Sequence, residues 1–514
     1  MKYWATLVVM LLCTSQAIEA SAQTTFYSSL ERGQMKEDLQ LFYAIREAAN
    51  SGVYKYRSQA EIDSVYQWAF DEIERSSTLG DLYKIILQIT DFEGSLHNNT
   101  ELPDKARKNI SNEDSGYFPF AIKQIEDKWV CNNADKEVPL GAEILRINDV
   151  PISTIIRDLH KYYTTDGFNI TGKQVGTKVF FPLFFRYEYA PQDSFSIEYV
   201  ANPGSGSSEI KTLQSISHRE FLRNLGKIHS MRFDKYLFLD AEEMAKSGEL
   251  YYTEAINDST AILVVNDFAI GDNAKDKKHK AYVDFLDATF RKFKEENIQH
   301  LIVDVRHNGG GSNPNDLVTY AYLSNRAFQE NVEAWISFRK IPYWKEIVKD
   351  DLFFLFRPFA KGFFQRALKK DFPIEQNGKY YQNENSDDQQ IWEPNENAFG
   401  GQIYLLVSPR IASAGSLFAS MLASDESTIT IGEESMGGYY GHNGHTSYTY
   451  ELEHSKIRTT FSIVNLNQDV ETRPNQPLGY GVMPDHRVVQ SLDDFLENRD
   501  TVLEYAKKLI AQEN

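Results

Sequence analysis

Two apolar runs on either side of an amphipathic segment constrain the fold of this chain more than any other feature. The runs are Ala261–Val265 and Leu301–Val305, which have the length and composition of strands buried on both faces. The segment between them has helical spacing, and its apolar face is formed by Phe285, Leu286, Phe290 and Phe293. Such a strand–helix–strand unit packs as a right-handed crossover, so the sequence predicts an α/β fold on a mainly parallel sheet with flanking helices.

The chain has 514 residues, more than a single hydrophobic core normally organises. Helical spacing dominates the N-terminal part, whereas short alternating segments with Gly and Pro turns dominate the part that follows. The predicted division is, in order, a signal peptide at 1–22, an N-terminal helical region at 23–110, a strand-rich module at 111–215, a linker at 216–250 and the α/β core at 251–514.

The first residues have the pattern of a secretory signal peptide, with Lys2 before an apolar run and a small-residue cleavage site that ends at Ala22. A lipid anchor on Cys13 is the alternative, which the bulky Leu12 disfavours. After cleavage Cys131 is the only cysteine, so an intrachain disulfide and a thiolate zinc cluster are excluded. These features predict a bacterial protein that is exported to the periplasm or the cell exterior, with no stable membrane insertion.

Composition narrows the classes of partner. The net charge is −19, and binding to phosphate groups requires clustered Lys and Arg. The sequence therefore argues against nucleic acid and against an anionic membrane as the main partner. An aromatic-rich insertion at about 335–395, basic in its first part from Ile336 to Lys370, is the local exception. We expect it to pack over the core or to cover a cleft, with a face that touches a membrane as the alternative.

Three adjacent glycines, Gly309 to Gly311, directly follow the second apolar strand. Adjacent glycines are costly in backbone entropy, so they usually mark a turn where the backbone approaches another group closely. A phosphate is one such group, but the Lys-Ser/Thr ending of a P-loop is missing. The other is an oxyanion held by backbone N–H groups, and a plain tight turn remains the structural alternative.

Ser413 lies in the stretch "SPRIASAGSLFASML", between an apolar strand and a predicted helix. A serine at such a turn projects its hydroxyl outward, and the N–H of Ala414 then lies at the positive end of the helix. Ser413 is therefore a candidate nucleophile, with Ser416 as a competitor and an N-cap role as the structural alternative. A lipase-like elbow is disfavoured, because Ile411 stands where its first glycine should be.

Four segments occur in the order found in the tail-specific protease family of serine peptidases: "DVRHNGGG", "SPRIASAGSLFAS", "IGEESMGG" and "GYGVMPD". The chain resembles this family, which includes the carboxy-terminal processing proteases, the tricorn core protease and the retinoid-binding repeats of the photoreceptor matrix. The N-terminal helical region and the loop around His97 are similar to the tricorn-like branch. "PLGAEILRINDVPI" resembles the family's PDZ module, which makes residues 111–215 PDZ-like.

The resemblance implies Ser413 as nucleophile and His97 as its general base. The lysine that the carboxy-terminal processing branch uses as base would fall at Gly438, so it is absent. The resemblance also implies that Glu471 orients the site through a second hydroxyl. The nearest hydroxyl to His97 in the sequence is that of Ser95, although the family's hydroxyl is adjacent to the histidine, where this chain has Leu96.

Two further histidines, His442 and His445, are rival bases or contacts for a substrate, and Lys456 is a more distant rival. The two histidines form a weak metal motif, because the sequence offers no HExxH pattern and no third ligand. No metal or cofactor is therefore expected.

The leading prediction is a secreted serine peptidase that acts on unfolded tails or peptides. The N–H groups of Gly310 and Ala414 would hold the oxyanion, with Gly309 and Gly311 as substitutes for Gly310. The PDZ-like module would present a peptide by strand addition. The alternative is a catalytically inactive binding protein on the same fold that holds a peptide or an apolar ligand. The sequence leaves the oligomeric state open.

Overall fold

The computed structural model describes residues 25–134, 137–202, 206–311, 314–348 and 357–513. The predicted signal peptide, Cys13 and part of the aromatic-rich insertion lie outside these residues.

Fifteen α-helices are present in the described residues. They are α1 (Arg32–Ala49), α2 (Gln59–Ile73), α3 (Leu79–Glu93), α4 (Asp104–Ser111), α5 (Ile152–Leu159), α6 (Thr171–Glu188), α7 (His218–Leu225), α8 (Met231–Asp234), α9 (Ala241–Ser247), α10 (Lys277–Glu295), α11 (Asn315–Ala321), α12 (Arg357–Asp371), α13 (Ala414–Ser424), α14 (Leu492–Leu496) and α15 (Thr501–Glu513).

The same residues form nineteen strands. They are β1 (Asn99–Glu101), β2 (Ile122–Ile125), β3 (Lys128–Cys131), β4 (Glu143–Ile147), β5 (Val150–Pro151), β6 (Ser194–Val200), β7 (Glu209–Gln214), β8 (Tyr251–Asn257), β9 (Thr260–Val265), β10 (His300–Asp304), β11 (Asn331–Ile336), β12 (Ile374–Gln376), β13 (Lys379–Tyr381), β14 (Gln402–Val407), β15 (Thr428–Gly432), β16 (Ser447–Glu451), β17 (Arg458–Ser462), β18 (Asn465–Gln468) and β19 (His486–Arg487).

The centre of the molecule is a six-stranded sheet in the order β19-β15-β14-β10-β9-β8. All neighbouring pairs are parallel except β8 with β9, which is antiparallel. Every residue of β9 is buried, as the uniformly apolar sequence predicts for a strand covered on both faces. The predicted helix between the two apolar runs is α10, and it buries Leu286, Phe290 and Phe293. The predicted α/β fold with a mainly parallel sheet is confirmed.

The N-terminal region is helical, as predicted. Two of its helices begin with reciprocal capping boxes: Ser58 with Glu61 at α2, and Thr78 with Asp81 at α3. Helix α3 ends at Gly94, which adopts the left-handed conformation with φ 69°. This sharp ending turns the chain directly into the loop that contains His97.

The next region forms a mostly antiparallel sheet in the order β2-β3-β4-β6-β7, with β5 paired to β4. Its buried side chains pack with those of α5 and α6 around Phe118, Phe181 and Phe195. The region is therefore strand-rich, as expected. Its PDZ character and the predicted domain boundaries stay predictions.

Two small sheets flank the core, in the orders β1-β17-β16 and β12-β13-β11-β18. The aromatic-rich insertion contributes α12, β12 and β13 to this side of the molecule. Leu368 and Phe372 of the insertion pack in one apolar cluster with Leu417 of α13. Within the described residues, no helix combines the length and the apolar composition that crossing a lipid bilayer requires.

Candidate active site

Ser413 occupies a strained turn between β14 and α13. Its backbone angles are φ 50° and ψ −132°, a region that side chains other than glycine rarely enter. The residue stands at the N-cap position of α13, but its side chain makes no capping hydrogen bond. Capping of the helix is therefore not the role of this hydroxyl, which remains available to another partner. Strain of this kind is typical of a serine displayed at a strand-to-helix turn.

Ser416, the competitor in the same stretch, is fully buried. Its Oγ donates a hydrogen bond of 2.7 Å to the carbonyl of Ser413. Ser416 therefore stabilises the first turn of α13, and its hydroxyl faces no open space.

The three glycines follow β10, the strand next to β14, so the two turns meet at the same edge of the sheet. Gly310 has φ 119°, and a Cβ built on it would lie 2.7 Å from the Cβ of Ser413. The same Cβ would lie 3.2 Å from the backbone nitrogen of Ala414. Only glycine allows the two turns to approach this closely.

Asn308 joins these turns and was not identified from the sequence. Its side chain is fully buried, and its Oδ1 accepts a hydrogen bond of 2.9 Å from the N–H of Gly310. Its Nδ2 donates to the carbonyl of Val265 in β9, and its carbonyl accepts from the N–H of Ala412. Asn308 thus fixes the glycine turn to the serine turn. Its Oδ1 also engages the N–H of Gly310, which we predicted from the sequence to stabilise an oxyanion.

His97 lies in the loop between α3 and β1, and four contacts hold this loop. The N–H of Leu96 donates to the Oδ1 of Asp166 over 2.9 Å, and the Thr164 hydroxyl donates to the carbonyl of Asn98 over 2.7 Å. On one side the loop begins at the left-handed Gly94, and on the other β1 pairs antiparallel with β17. The position of His97 is therefore set from both ends and from the side.

The structure brings the predicted base and the predicted nucleophile together. The Nε2 of His97 lies 3.3 Å from the Oγ of Ser413, although the two residues are 316 positions apart in the sequence. Burial lowers the pKa of His97 to about 4, and the nearby backbone of Asn443, which favours the protonated ring, opposes this effect. Within the described residues Nδ1 of His97 has no hydrogen-bond partner of good geometry. The imidazole is therefore neutral near pH 7 and has a lone pair with which it can accept a proton.

Two buried carboxylates position the His97 loop, and neither was identified from the sequence. Asp166 accepts from Leu96 with one oxygen and, over 2.9 Å, from the N–H of Gly438 with the other. Burial raises the pKa of Asp166 to about 7. Glu93 forms a fully buried pair with Arg46 and accepts a hydrogen bond of 3.1 Å from Nδ2 of Asn98. A sequence pattern gives no signal for either, because their partners are distant along the chain.

Of the two rival histidines, only His442 lies at the site. Its ring centroid is 4.9 Å from that of His97, and the side chain is 2% exposed. Within the described residues neither of its ring nitrogens has a hydrogen-bond partner. Burial, followed by the nearby His97, lowers its pKa well below the ordinary value. His442 is thus a neutral, desolvated imidazole beside the predicted base, with its ring plane tilted by 43° to that of His97.

His445 is directed away from the site. Its Nε2 lies 3.1 Å from the Asp388 carboxylate, and its Nδ1 lies 2.8 Å from the Thr446 hydroxyl. Burial lowers the pKa of His445, but the hydrogen bond that its ring donates to the Asp388 carboxylate outweighs this effect, and the pKa is raised. This histidine therefore links the insertion to the loop that carries His442. Lys456 is also remote from the site, in the turn between β16 and β17 beside Glu451.

In the part of the chain that the structure describes, neither Glu471 nor Ser95 forms a hydrogen bond with the side chains of His97 and Ser413. Glu471 is exposed, and its carbonyl accepts a hydrogen bond of 2.8 Å from the Tyr439 hydroxyl. Among the described residues, its carboxylate makes no hydrogen bond to His97 or Ser413. Ser95 is 2% exposed, and its Oγ has no hydrogen-bond partner in the part of the chain that the structure describes.

A cavity of about 220 Å³ adjoins the segment that leads to Ser413. It lies between the strand-rich module and the carboxyl edge of the central sheet. The module contributes β2 and the start of α6, and the core contributes the residues after β10 and β14. Its polar lining includes Lys123, Gln124, Thr171, Lys178, His307 and Arg410.

Comparison with known proteins gives a family match for part of the chain and a likeness of fold for most of it. Residues 259–488 match the family model described as peptidase family S41. A search of curated protein sequences gives no match. Among solved structures, mature CPAF complexed with lactacystin is similar, with a TM-score of 0.59 and 11% identity over 94% of this chain and 98% of that chain. A CPAF mutant gives a TM-score of 0.60 and 10% identity over 94% and 97%.

The likeness to CPAF, at these identities, shows a shared fold that extends through the N-terminal helices and the strand-rich module. The family match covers both turns described above and the strands that support them. Residues 259–488 therefore match peptidase family S41, the family of the tail-specific proteases, which are serine-type peptidases.

Proposed function

We propose that this chain hydrolyses peptide bonds with Ser413 as nucleophile and His97 as general base. The observation that carries the proposal is the distance of 3.3 Å between His97 Nε2 and Ser413 Oγ. This separation is within the looser range expected for a nucleophile and its base before a substrate is bound.

In the proposed reaction, Ser413 Oγ attacks the peptide carbonyl while its proton moves to Nε2 of His97. The resulting imidazolium then donates that proton to the leaving amine, and water hydrolyses the ester in a second round. His97 must be neutral at the start, which its lowered pKa supports. In the neutral ring the proton is on Nδ1. The backbone of Asn443 favours the positive charge that forms when Nε2 takes up the serine proton.

The proposed oxyanion hole combines Ala414 with the glycine turn. The N–H of Ala414 is at the start of α13, where the helix dipole favours negative charge. The sequence predicts Gly310 as the second donor, but in the structure its N–H donates a hydrogen bond to Oδ1 of Asn308. Gly309, which is exposed beside it, is therefore the better second donor, and Gly311 is the other substitute.

The proposed substrates are peptides or unfolded protein segments. The cavity beside β2, α6 and Ser408–Arg410, the segment that leads to Ser413, supports this class, because an extended chain could lie along the edge strand β2 toward the serine turn. This is the mode of binding expected of a PDZ-like module. Export through the predicted signal peptide at 1–22 is part of the same proposal and places the enzyme in a periplasm or outside the cell.

The inactive binding protein is the competing function. It would be favoured if Ser413 had no base within hydrogen-bond reach, since the family's lysine is replaced by Gly438. The short His97–Ser413 distance and the strained, uncapped serine both support the peptidase instead.

Peptide cleavage tests the proposal directly. The chain from Gln23 to Asn514 is incubated with a mixture of disordered peptides, and the products are identified by mass spectrometry. We expect Ser413→Ala to abolish cleavage and His97→Ala to lower it by at least about 100-fold, the usual contribution of a general base. His454→Ala is the matched control, because that histidine pairs with Glu37.

Variants of His442 and Glu471 test whether either residue has the role proposed for His97 or supports it. If His442→Ala were inactive and His97→Ala active, the neighbouring imidazole would be the base. A loss in Glu471→Gln as large as that in His97→Ala would mean that this carboxylate moves into the site with substrate. Absence of cleavage by the unmodified chain across a broad peptide set would support the binding protein.

A further inference from the structure

The outward face of α12 combines an exposed aromatic ring with basic side chains. Phe363 is 70% exposed. Arg366 and Lys370 follow it at positions i+3 and i+7, so all three side chains lie on one face of the helix. We call this set the α12 face. Phe363, Arg366 and Lys370 are all exposed.

The opposite side of α12 is fixed to the protein. Leu368 is 6% exposed, and Phe372, just after the helix, is 1% exposed. Gln365 accepts a hydrogen bond of 3.0 Å from the N–H of Ile341 and donates to the carbonyl of Arg339. The α12 face is thus displayed on a helix that is anchored on its other side.

Further apolar and basic groups extend the α12 face. Phe364 is 38% exposed and packs near Trp344, with 6.0 Å between the ring centroids, and Ile374 is 39% exposed. Lys361 and Lys369 are also exposed. From residue 361 to 371 the only acidic residue is Asp371.

The local charge is opposite to that of the chain, which is −19. Among the described residues, none of the four basic side chains of this segment, Lys361, Arg366, Lys369 and Lys370, forms an ion pair. An exposed phenyl ring between cations is typical of helices that lie in a membrane interface, where the ring enters the acyl boundary and the cations meet anionic headgroups. The net charge of −19 opposes the approach of the whole chain to an anionic surface, so the attraction has to come from the local excess of cations on this segment.

We propose that the α12 face docks the protein peripherally on an anionic lipid bilayer. The contact is interfacial and involves no spanning segment. A second copy of the chain is a poorer occupant, because a two-fold contact would oppose the same cations across the interface. The inference is independent of the catalytic proposal, since it uses none of the residues assigned to the site.

Vesicle flotation tests this docking with the full mature chain. We expect co-flotation with vesicles of phosphatidylglycerol and phosphatidylcholine, little with phosphatidylcholine alone, and weaker binding at high salt because the attraction is screened. Phe363→Ser and the double variant Arg366→Glu/Lys370→Glu should each lower the partition coefficient, the charge reversal by more than about tenfold. Both change exposed side chains, and circular dichroism verifies that the variants remain folded.

Matched controls are available elsewhere on the surface. Ile210→Ser removes an apolar side chain that is 73% exposed, and Lys280→Glu/Lys294→Glu reverses two exposed cations of α10. Neither should change flotation. Equal binding to neutral vesicles, equal loss in the control variants, or no flotation of the unmodified chain would overturn the proposal. Retained flotation with loss of peptide binding in Phe363→Ser would assign the face to substrate peptides instead.

Discussion

At the scale of single residues, the site contains two energetically unfavourable features, a strained backbone and a desolvated imidazole. Ser413 adopts a backbone conformation that is unfavourable for a side chain, and His97 is desolvated enough to lower its pKa to about 4. In this conformation the Ser413 hydroxyl makes no capping hydrogen bond to the helix that it precedes. The desolvation of His97 keeps the imidazole unprotonated, which is the form that a general base requires.

The pH dependence of activity follows from this burial. A base loses activity as it is protonated, so kcat/KM should stay level as the pH is lowered through 6.5 and fall with an apparent pKa of about 4. An ordinary solvated histidine would lose activity near pH 6.5 instead. The measurement is kcat/KM on a peptide substrate that has no titrating group in this range.

The titration of Asp166 must be distinguished from that of His97, because burial raises the pKa of Asp166 to about 7. Any step near neutral pH that disappears in Asp166→Asn belongs to that carboxyl group. An acid limb near 6.5 that survives in Asp166→Asn would show that His97 is solvated in the working enzyme.

At the scale of elements, the site consists of two turns at the ends of the neighbouring strands β10 and β14. Gly310 and Ser413 approach so closely that a methyl group on the glycine would collide with the serine side chain. Asn308 holds both turns, and Gly415 leaves room for the Asn308 carbonyl, which lies 2.5 Å from the place where a Cβ would be. The arrangement tolerates no added atom at these positions.

A pair of glycine variants tests this packing. Gly310→Ala adds a Cβ 2.7 Å from the Cβ of Ser413 at a residue with φ 119°, so cleavage should fall by at least about 100-fold as the serine is displaced. Gly309→Ala is the control, because its Cβ would meet nothing within 4 Å and its N–H is retained. Both are compared by kcat/KM and by melting temperature. Equal activity of the two variants would contradict the close approach.

The sequence allowed these elements to be predicted unequally. The inner strands β9, β10 and β14 were recognisable because they are almost uniformly apolar and buried, and Ser413 and His97 were recognisable because they belong to ordered motifs. Asn308 was not, since an asparagine in a glycine-rich turn has no distinctive pattern. Asp166 acts on Leu96, 70 positions away, and on Gly438, 272 positions away, so its role appears only in three dimensions. Glu471, assigned by family resemblance, lies outside the hydrogen bonds of the pair.

At the scale of the whole molecule, three regions support one site. The N-terminal helices supply the His97 loop, the strand-rich region supplies Asp166, and the α/β core supplies both turns. Arg46 of α1 and Glu93 of α3 form a pair with side-chain exposures of 0% and 1%, and Glu93 also holds Asn98 beside His97. The stability of the helical region and the geometry of the site are therefore coupled through one buried carboxylate.

Breaking this pair should destabilise the helical region strongly. Arg46→Met leaves Glu93 buried without its cation, and we expect a loss of about 3–5 kcal/mol in the free energy of unfolding. The double variant Arg46→Met/Glu93→Leu removes both charges and should recover part of that loss. Urea unfolding followed by circular dichroism measures both, and additive effects in the double variant would contradict the coupling.

The distance along the chain between His97 and Ser413 also has a consequence for biosynthesis. The two residues are 316 positions apart, and β1, which anchors the His97 loop, pairs with β17 at residues 458–462. At ordinary elongation rates the ribosome makes the histidine on the order of tens of seconds before the serine and the partner strand. A chain that is released early, or that is cut between these positions and separated, lacks an assembled pair. If Ser413 and His97 act together as proposed, unfinished copies of this protein cannot cleave their neighbours in the producing cell.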